Sequence, residues 1–341
     1  KNLYPSMNQG SVLNEKIKIS KEIEKLKKFK QKELTKKQQN TYMVLMDYLR
    51  RQKNLSMYPY YERILGKTSG QQAQILLTLS EYRLKNEKDI KSYFQLLKGL
   101  DGYFDSLIEY SKEQVKRNLF LSDQSLKEVL QQIQNVIKQK ENNMLVATFN
   151  LRIADIKGIN AAQKKKYCRE NKKLIGTKVL PAYEKLYSHL QALNGNGKNE
   201  NGLYYYKNGK EYYKVLVAQK TGSDKTIEEM IEISDRSIEK CLRKLIKLQK
   251  KYPNIINEYR NHKKNIKIVQ NPQNILNKLR QKMVKYYPKA PKVSCKIKYV
   301  HKTMEEYTSP AFYMVPEIDS YKENVIYINK AQTAELYPTL A

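Results

Sequence analysis

Residues 293–329, VSCKIKYVHKTMEEYTSPAFYMVPEIDSYKENVIYIN, break a pattern that residues 1–292 hold almost throughout. VSCKIKYV alternates polar and apolar positions, AFYMV is a short apolar run, and NVIYIN is β-branched and aromatic. Proline, aspartate and serine stand between these runs. Successive strand side chains point to opposite faces, so a period of two bounded by turn residues predicts strands. The expected fold is therefore mainly α: a large multi-helix body over 1–292 and a small antiparallel β-sheet over 293–341 that leads into a further helix.

The body owes its helical reading to apolar residues spaced three and four apart. Leu13, Ile17, Ile23 and Leu26 recur in this way among lysines. Thr35 and Gln38 form a capping-box pattern ahead of the stripe Tyr42, Leu45, Met46 and Leu49. Further helices are expected at about 70–84, 87–112, 123–139, 141–155, 160–193 and 225–251, and from Asn271-Pro272 to about Tyr286. One interruption stands out at 194–213, NGNGKNENGLYYYKNGKEYY, where Asn208-Gly209 favours a turn with positive φ. A short strand, a turn and a helix start are expected near 202–210.

Lys+Arg 65 against Asp+Glu 34 gives a formal charge of +31. Such an excess fits a polyanion partner, or lysines that solvate helix faces. Lysine greatly outnumbers arginine and the basic residues are spread along the chain, so no specific nucleic-acid partner is expected. A basic helical scaffold that binds a polyanion, nucleic acid without sequence specificity or an anionic cell-surface polymer, stays open as the alternative function. The 28 tyrosines mostly sit at helical spacing beside leucines, as Tyr103, Leu107 and Tyr110 do, which places them in core and rim packing rather than on a stacking platform. Cys168, Cys241 and Cys295 form neither a disulfide framework nor a zinc knuckle.

A catalytic constellation is not readable in these residues. His189, His262 and His301 lack any histidine or cysteine at ligand spacing, and no Gly-rich phosphate loop or nucleophile elbow occurs. Glu305-Glu306 reads as an exposed helical turn. No catalytic residue and no metal ligand is expected within this sequence.

The run TSPAFYMVPEIDSYKENVIYIN (308–329), followed by LYPTLA (336–341), resembles a family of bacterial proteins, domain-of-unknown-function family 885. TSGQQAQILLTLSEYR (68–83), LPAYEKLYSHLQALNGNGKNENGLYYYKNGKEYY (180–213) and KTGSDKTIEEM (220–230) agree with the same family. Its members include predicted lipoproteins of Gram-positive gut bacteria. In that family the segment like LYPTLA runs into a His-Glu-Gly-x-Pro-Gly-His motif that looks like the zinc site of gluzincin-type peptidases. The resemblance implies a zinc-dependent peptidase with a peptide substrate, lipid-anchored at the cell envelope. By that resemblance the present sequence is its non-catalytic N-terminal portion, forming one wall of the substrate cleft.

The resemblance implies that ELYPTLA (335–341) would be the start of a metal-binding helix whose ligands would lie beyond Ala341. The resemblance further implies that an edge strand beside that helix pairs with the substrate backbone, and Asn324–Asn329 is the matching stretch. Tyr313 and Tyr327 would supply hydroxyls to an oxyanion or hold a substrate side chain, with packing within the sheet as their other open role. Ser309-Pro310-Ala311 would shape the cleft wall. The expected substrate-binding residues are Ser309, Tyr313, Asn324, Tyr327 and Asn329, with zinc held only in the whole protein.

Overall fold

The computed structural model describes residues 4–5, 7–67, 69–254, 256–258, 261, 271–288, 292–302, 305, 308–316 and 321–333. The expected helix at 335–341 and Glu306 lie outside these. By its contacts the chain divides into two compact units, Lys1–Met230 and Ile231–Ala341.

Among the described residues of the first unit, the regular elements are all helices. The unit holds α1 (Gln9–Leu13), α2 (Glu15–Lys27), α3 (Lys36–Leu55), α4 (Gln71–Ser80), α5 (Glu87–Lys116) and α6 (Asp123–Lys138). After these come α7 (Met144–Ala154), α8 (Ala161–Leu174), α9 (Leu180–Gln191) and α10 (Gly209–Thr221), and α11 (Ile227–Lys251) starts before the unit ends. Their N-termini are capped as the sequence suggests: Thr35 and Gln38 form a reciprocal capping box, and Asn160 with Gln163 forms another. Asn86 and Ser122 accept from the Asp89 and Ser125 amides.

The 30-residue α5 is the axis of the core. Its Ile90, Leu97, Leu100, Phe104 and Leu107 are fully buried at helical spacing. Phe104 meets Tyr183 of α9 edge-on at 4.8 Å, and Tyr93 stacks on Phe149 of α7 at 5.4 Å. The Tyr183 hydroxyl donates to the Gln72 carbonyl at 2.7 Å, so its burial leaves no polar atom stranded. A five-residue π-helical turn, Ile175–Val179, joins α8 to α9 directly. Pro181 in the first turn of α9 has no N–H to donate backwards, and its ring displaces the carbonyl four residues earlier, which widens the turn.

The SGQQ segment (69–72) is held by a close approach of backbone. The Gly70 N–H donates to the Gly66 carbonyl at 3.3 Å, and Gln72 Nε2 reaches the same oxygen at 2.6 Å. A Cβ on Gly70 would lie 2.2 Å from the Gly66 nitrogen, so only glycine fits.

Near 202–210 the expected strand is absent. Gly202–Tyr205 is a 3-10 turn, Asn208 is left-handed at φ 57°, and α10 starts at Gly209. The turn and helix start are as expected; a strand has no partner there. The preceding loop instead folds onto the start of α6, where the Gly195 and Gly197 amides donate to Asp123 Oδ1 at 3.0 Å each. The Tyr206 hydroxyl donates to the Leu119 carbonyl at 2.8 Å.

The second unit takes most of α11, then α12 (Pro272–Met283), β1 (Ser294–Tyr299), β2 (Ala311–Met314), β3 (Glu323–Ile328) and α13 (Lys330–Thr333). The three strands lie where the sequence places them, in the order β1-β3-β2. β2 and β3 pair antiparallel as expected, whereas β1 and β3 pair parallel, so the sheet is mixed rather than antiparallel. The stretch between β1 and β2 carries the chain past one strand position, and β3 fills the gap on its return. Among the described residues, no helix is long and apolar enough to cross a membrane.

Candidate functional site

β3 is the centre of the sheet. The Ser294 N–H donates to the Lys322 carbonyl and the Val300 N–H to the Ile328 carbonyl, both at 2.9 Å. On the other side the Asn329 N–H donates to the Pro310 carbonyl at 2.8 Å. Alternation along the strand then sends the backbone groups of Asn324, Ile326 and Ile328 to β1, and those of Val325, Tyr327 and Asn329 to β2. This corrects the expectation that Asn324–Asn329 offers an edge to a substrate: both sides of β3 are occupied. The open edges belong to β1 and β2.

The two edges differ. By the same alternation, β2 turns the N–H and C=O of Ala311 and Tyr313 away from β3. The side chains near this edge are apolar or aromatic, with Tyr313 52 % and Val315 78 % exposed. β1 carries Lys296 and Lys298, and lysine on an edge strand deters pairing with another chain.

Both expected asparagines serve the sheet itself. Asn324 Nδ2 donates to the carbonyls of Ser294 (3.3 Å) and Tyr321 (3.2 Å), and its Oδ1 accepts from the Tyr313 hydroxyl. Asn329 is fully buried, and its Nδ2 donates to the carbonyls of Glu305 (2.6 Å) and Thr308 (3.2 Å). Its Oδ1 accepts the Ala331 N–H at 3.1 Å, which starts α13. The two residues fasten opposite ends of β3.

Residues directly opposite in the ladder share a face. Phe312 opposes Tyr327, and their rings stack at 5.0 Å with 9° between planes. Tyr313 opposes Ile326 and so lies on the other face, beside Asn324. The hydroxyls of Tyr313 and Tyr327 therefore do not converge on one oxyanion. Tyr327 is buried, with the Lys298 ammonium 5.9 Å above its ring. Ser309 is exposed just before β2.

The described residues contain no group of three His, Cys, Asp or Glu side chains able to hold a metal ion. They do not fit zinc, and no step through a metal is assigned to them. His189 is a helix residue whose Nδ1 lies 2.9 Å from the Lys185 carbonyl. Thr226 and Glu229, in the KTGSDKT segment, form a capping box at the start of α11 (2.7 and 3.1 Å). Beside it Arg51, its side chain only 11 % exposed, pairs with Asp47 within α3 (2.8 Å) and ties α3 to this loop through Asp224 (3.0 Å) and to α10 through the Ala218 carbonyl (3.0 Å).

Sequence reasoning missed a cleft of about 480 Å³ in the first unit, between α1–α3, α5 and α10. It is lined by Tyr58, Tyr61, Tyr110, Tyr212, Glu15 and Glu62 among others. Burial, then the neighbouring Glu62, raises the Glu15 carboxyl above its ordinary range, and burial with Glu62 pushes Tyr212 up to about 12. The signal available was YPYYER (58–63), a tyrosine cluster around a proline with no helical period.

A family model described as "Bacterial protein of unknown function (DUF885)" matches residues 3–341. No curated protein matches it. Among solved structures, "the crystal structure of the putative lipoprotein from Colwellia psychrerythraea" matches with a TM-score of 0.78 at 14% identity, over 97% of this chain and 62% of that one. At this identity the likeness shows the fold, and the present chain spans less than two thirds of the length of that protein.

Proposed function

The chain belongs to the DUF885 family, and from that premise we propose that it forms one wall of the substrate cleft of a zinc-dependent peptidase. In this reading β2 takes up an extended peptide. The supporting observation is the outward edge of β2, whose Ala311 and Tyr313 backbone groups have no strand beside them among the described residues. A peptide added there gains main-chain hydrogen bonds, with its alternate side chains over the Tyr313 face. Asn324 holds the Tyr313 ring in place for that contact. The wall binds and aligns; water activation is left to residues outside those described. The similar solved structure, whose description reads "putative lipoprotein", supports an outward location at the cell envelope.

The test is binding of a labelled, unstructured peptide by fluorescence anisotropy, against the same peptide N-methylated at alternate backbone nitrogens. Each lost main-chain bond removes about 1 kcal/mol, so two of them should weaken binding roughly tenfold or more. Equal binding of both peptides, or none of either, refutes the reading.

A second reading is kept by one observation: 65 basic residues face only 34 acidic ones, so many lysines have no carboxylate to match. An anionic cell-surface polymer would then bind with an affinity that falls steeply with salt, because released counterions set the slope. Binding that does not change with salt would remove it.

A further inference from the structure

The tyrosine cleft of the first unit brings two carboxylates together. Glu15 and Glu62 both line it, and among the described residues neither side chain has an ion pair or a hydrogen bond. After burial, Glu62 is the next influence on Glu15, and Lys18 acts on it more weakly. Two basic residues also line the cleft. Arg63 donates through Nε to the Leu65 carbonyl at 3.2 Å, and Lys220 pairs with neither carboxylate. The chain has 65 basic residues against 34 acidic ones, so cations are in surplus along it. Two like charges left side by side disfavour each other's ionised form, and a cation placed between them removes that conflict.

The rest of the lining fits such a cation. Tyr58, Tyr61 and Tyr212 form one aromatic cluster, with ring centroids 5.0–5.4 Å apart. Burial, then Glu62, holds the phenols of Tyr110 and Tyr212 above their ordinary value, so both rings stand near the same negative charge. A cation over the face of a tyrosine ring is attracted by the ring quadrupole, most where water is excluded. Gln219, also in the lining, has a buried side-chain oxygen without a hydrogen-bond partner. The unmet groups are thus two carboxylates and an amide oxygen, all acceptors, and an ammonium is a cation with donors only. Val12, Leu55 and Leu216 add apolar surface, and about 480 Å³ is the size of a small-molecule site.

We propose that this cleft binds a primary alkylammonium. Glu15 and Glu62 take its charge, Gln219 Oε1 accepts one of its N–H groups, and its stem lies against the tyrosine rings. The formal charge of +31 repels such a ligand and attracts its anionic counterpart. A preference for the cation therefore has to come from the site itself. This inference is independent of the peptide-binding reading, since it uses neither β2 nor any residue beside it.

Isothermal titration calorimetry with n-hexylammonium, n-hexanol and hexanoate, which share one stem length, tests it. One site for n-hexylammonium is expected, with n-hexanol roughly tenfold weaker and no heat from hexanoate. Glu15→Gln with Glu62→Gln should weaken n-hexylammonium roughly tenfold or more and leave n-hexanol unchanged. Both positions are exposed, and the variant relieves a like-charge pair, so without ligand it should be no less stable than the parent in urea. A purely structural role for the two residues would move stability and not the ammonium preference. Nα-acetyl-lysine-N-methylamide carries the same ammonium on a peptide main chain. Whether it or n-hexylammonium binds tighter tells a lysine side chain from a free amine, and either supports the site. Equal affinity for n-hexanol and n-hexylammonium overturns the proposal, as does a preference for hexanoate. So does ammonium binding untouched by the double variant, or no binding of either ammonium.

Discussion

Helices α5 and α11 are both long and both amphipathic, yet they end in opposite states. In Lys1–Met230, α5 buries thirteen of its thirty residues, with Ile90, Leu97, Leu100 and Phe104 at 0 % exposure. In Ile231–Ala341, α11 and α12 leave their stripes largely open, and the buried apolar side chains described there are Pro272, Val300, Tyr327 and Ile328. Periodicity in a sequence states that a face is apolar. It does not state that the same chain covers it. The first unit is an inside with a surface around it, while the second displays much of its apolar area.

The contrast predicts unequal responses to the same kind of truncation. Phe104→Ala removes a fully buried ring packed edge-on against Tyr183, and should lower unfolding stability by roughly 3–5 kcal/mol. Val284→Ala, at a side chain 68 % exposed, should change it by less than about 0.5 kcal/mol. Urea unfolding followed by circular dichroism measures both. Similar losses at the two positions would show that the second unit has a closed core of its own.

A glycine series sharpens the comparison within the first unit. Gly70→Ala drives a Cβ into the Gly66 backbone and should cost about 1–3 kcal/mol. Gly102→Ala, inside α5 with open space around it, should stabilise by about 0.5–1 kcal/mol through helix propensity. Opposite shifts in the urea midpoint are the expected result; shifts of one sign would break the packing account of the Gly66–Gly70 approach.

What the sequence made legible follows the range of the interaction that decides it. Helix positions and caps are local, so the capping box at Thr35 and the start of α6 after Ser122 were readable. Strand positions are local too, and β1, β2 and β3 fall where alternation and β-branching put them. Strand order is not local. Nothing in NVIYIN says whether a neighbour lies on one side or both, so the sequence leads to an edge at Asn324–Asn329 where the fold has the centre of the sheet. The asparagines look like binding residues in the sequence because their amides are free to point anywhere. In the fold Asn329 is spent on the Glu305 and Thr308 carbonyls. The tyrosine cleft joins residues some two hundred positions apart, from Glu15 to Tyr212, and no periodic pattern links them.

That cleft supplies the smallest and most specific prediction. The Glu15 carboxyl titrates above its ordinary range because burial, and then the Glu62 charge, disfavour its ionised form. A raised folded-state value means that the folded protein holds this proton more tightly than the unfolded chain does. Stability from this group is therefore complete below the ordinary carboxylate range and is lost as pH rises through the raised value. Glu15→Gln removes the loss, so the variant should equal the parent in acid and exceed it at neutral pH. Glu15 keeps much of its water, which holds the gain to a few tenths of a kcal/mol, about the scale of an exposed charge pair. Parallel urea titrations at the two pH values resolve the sign. A variant less stable than the parent at neutral pH would mean that Glu15 is held by a cation in the cleft, and that the first unit is less self-contained than α5 makes it.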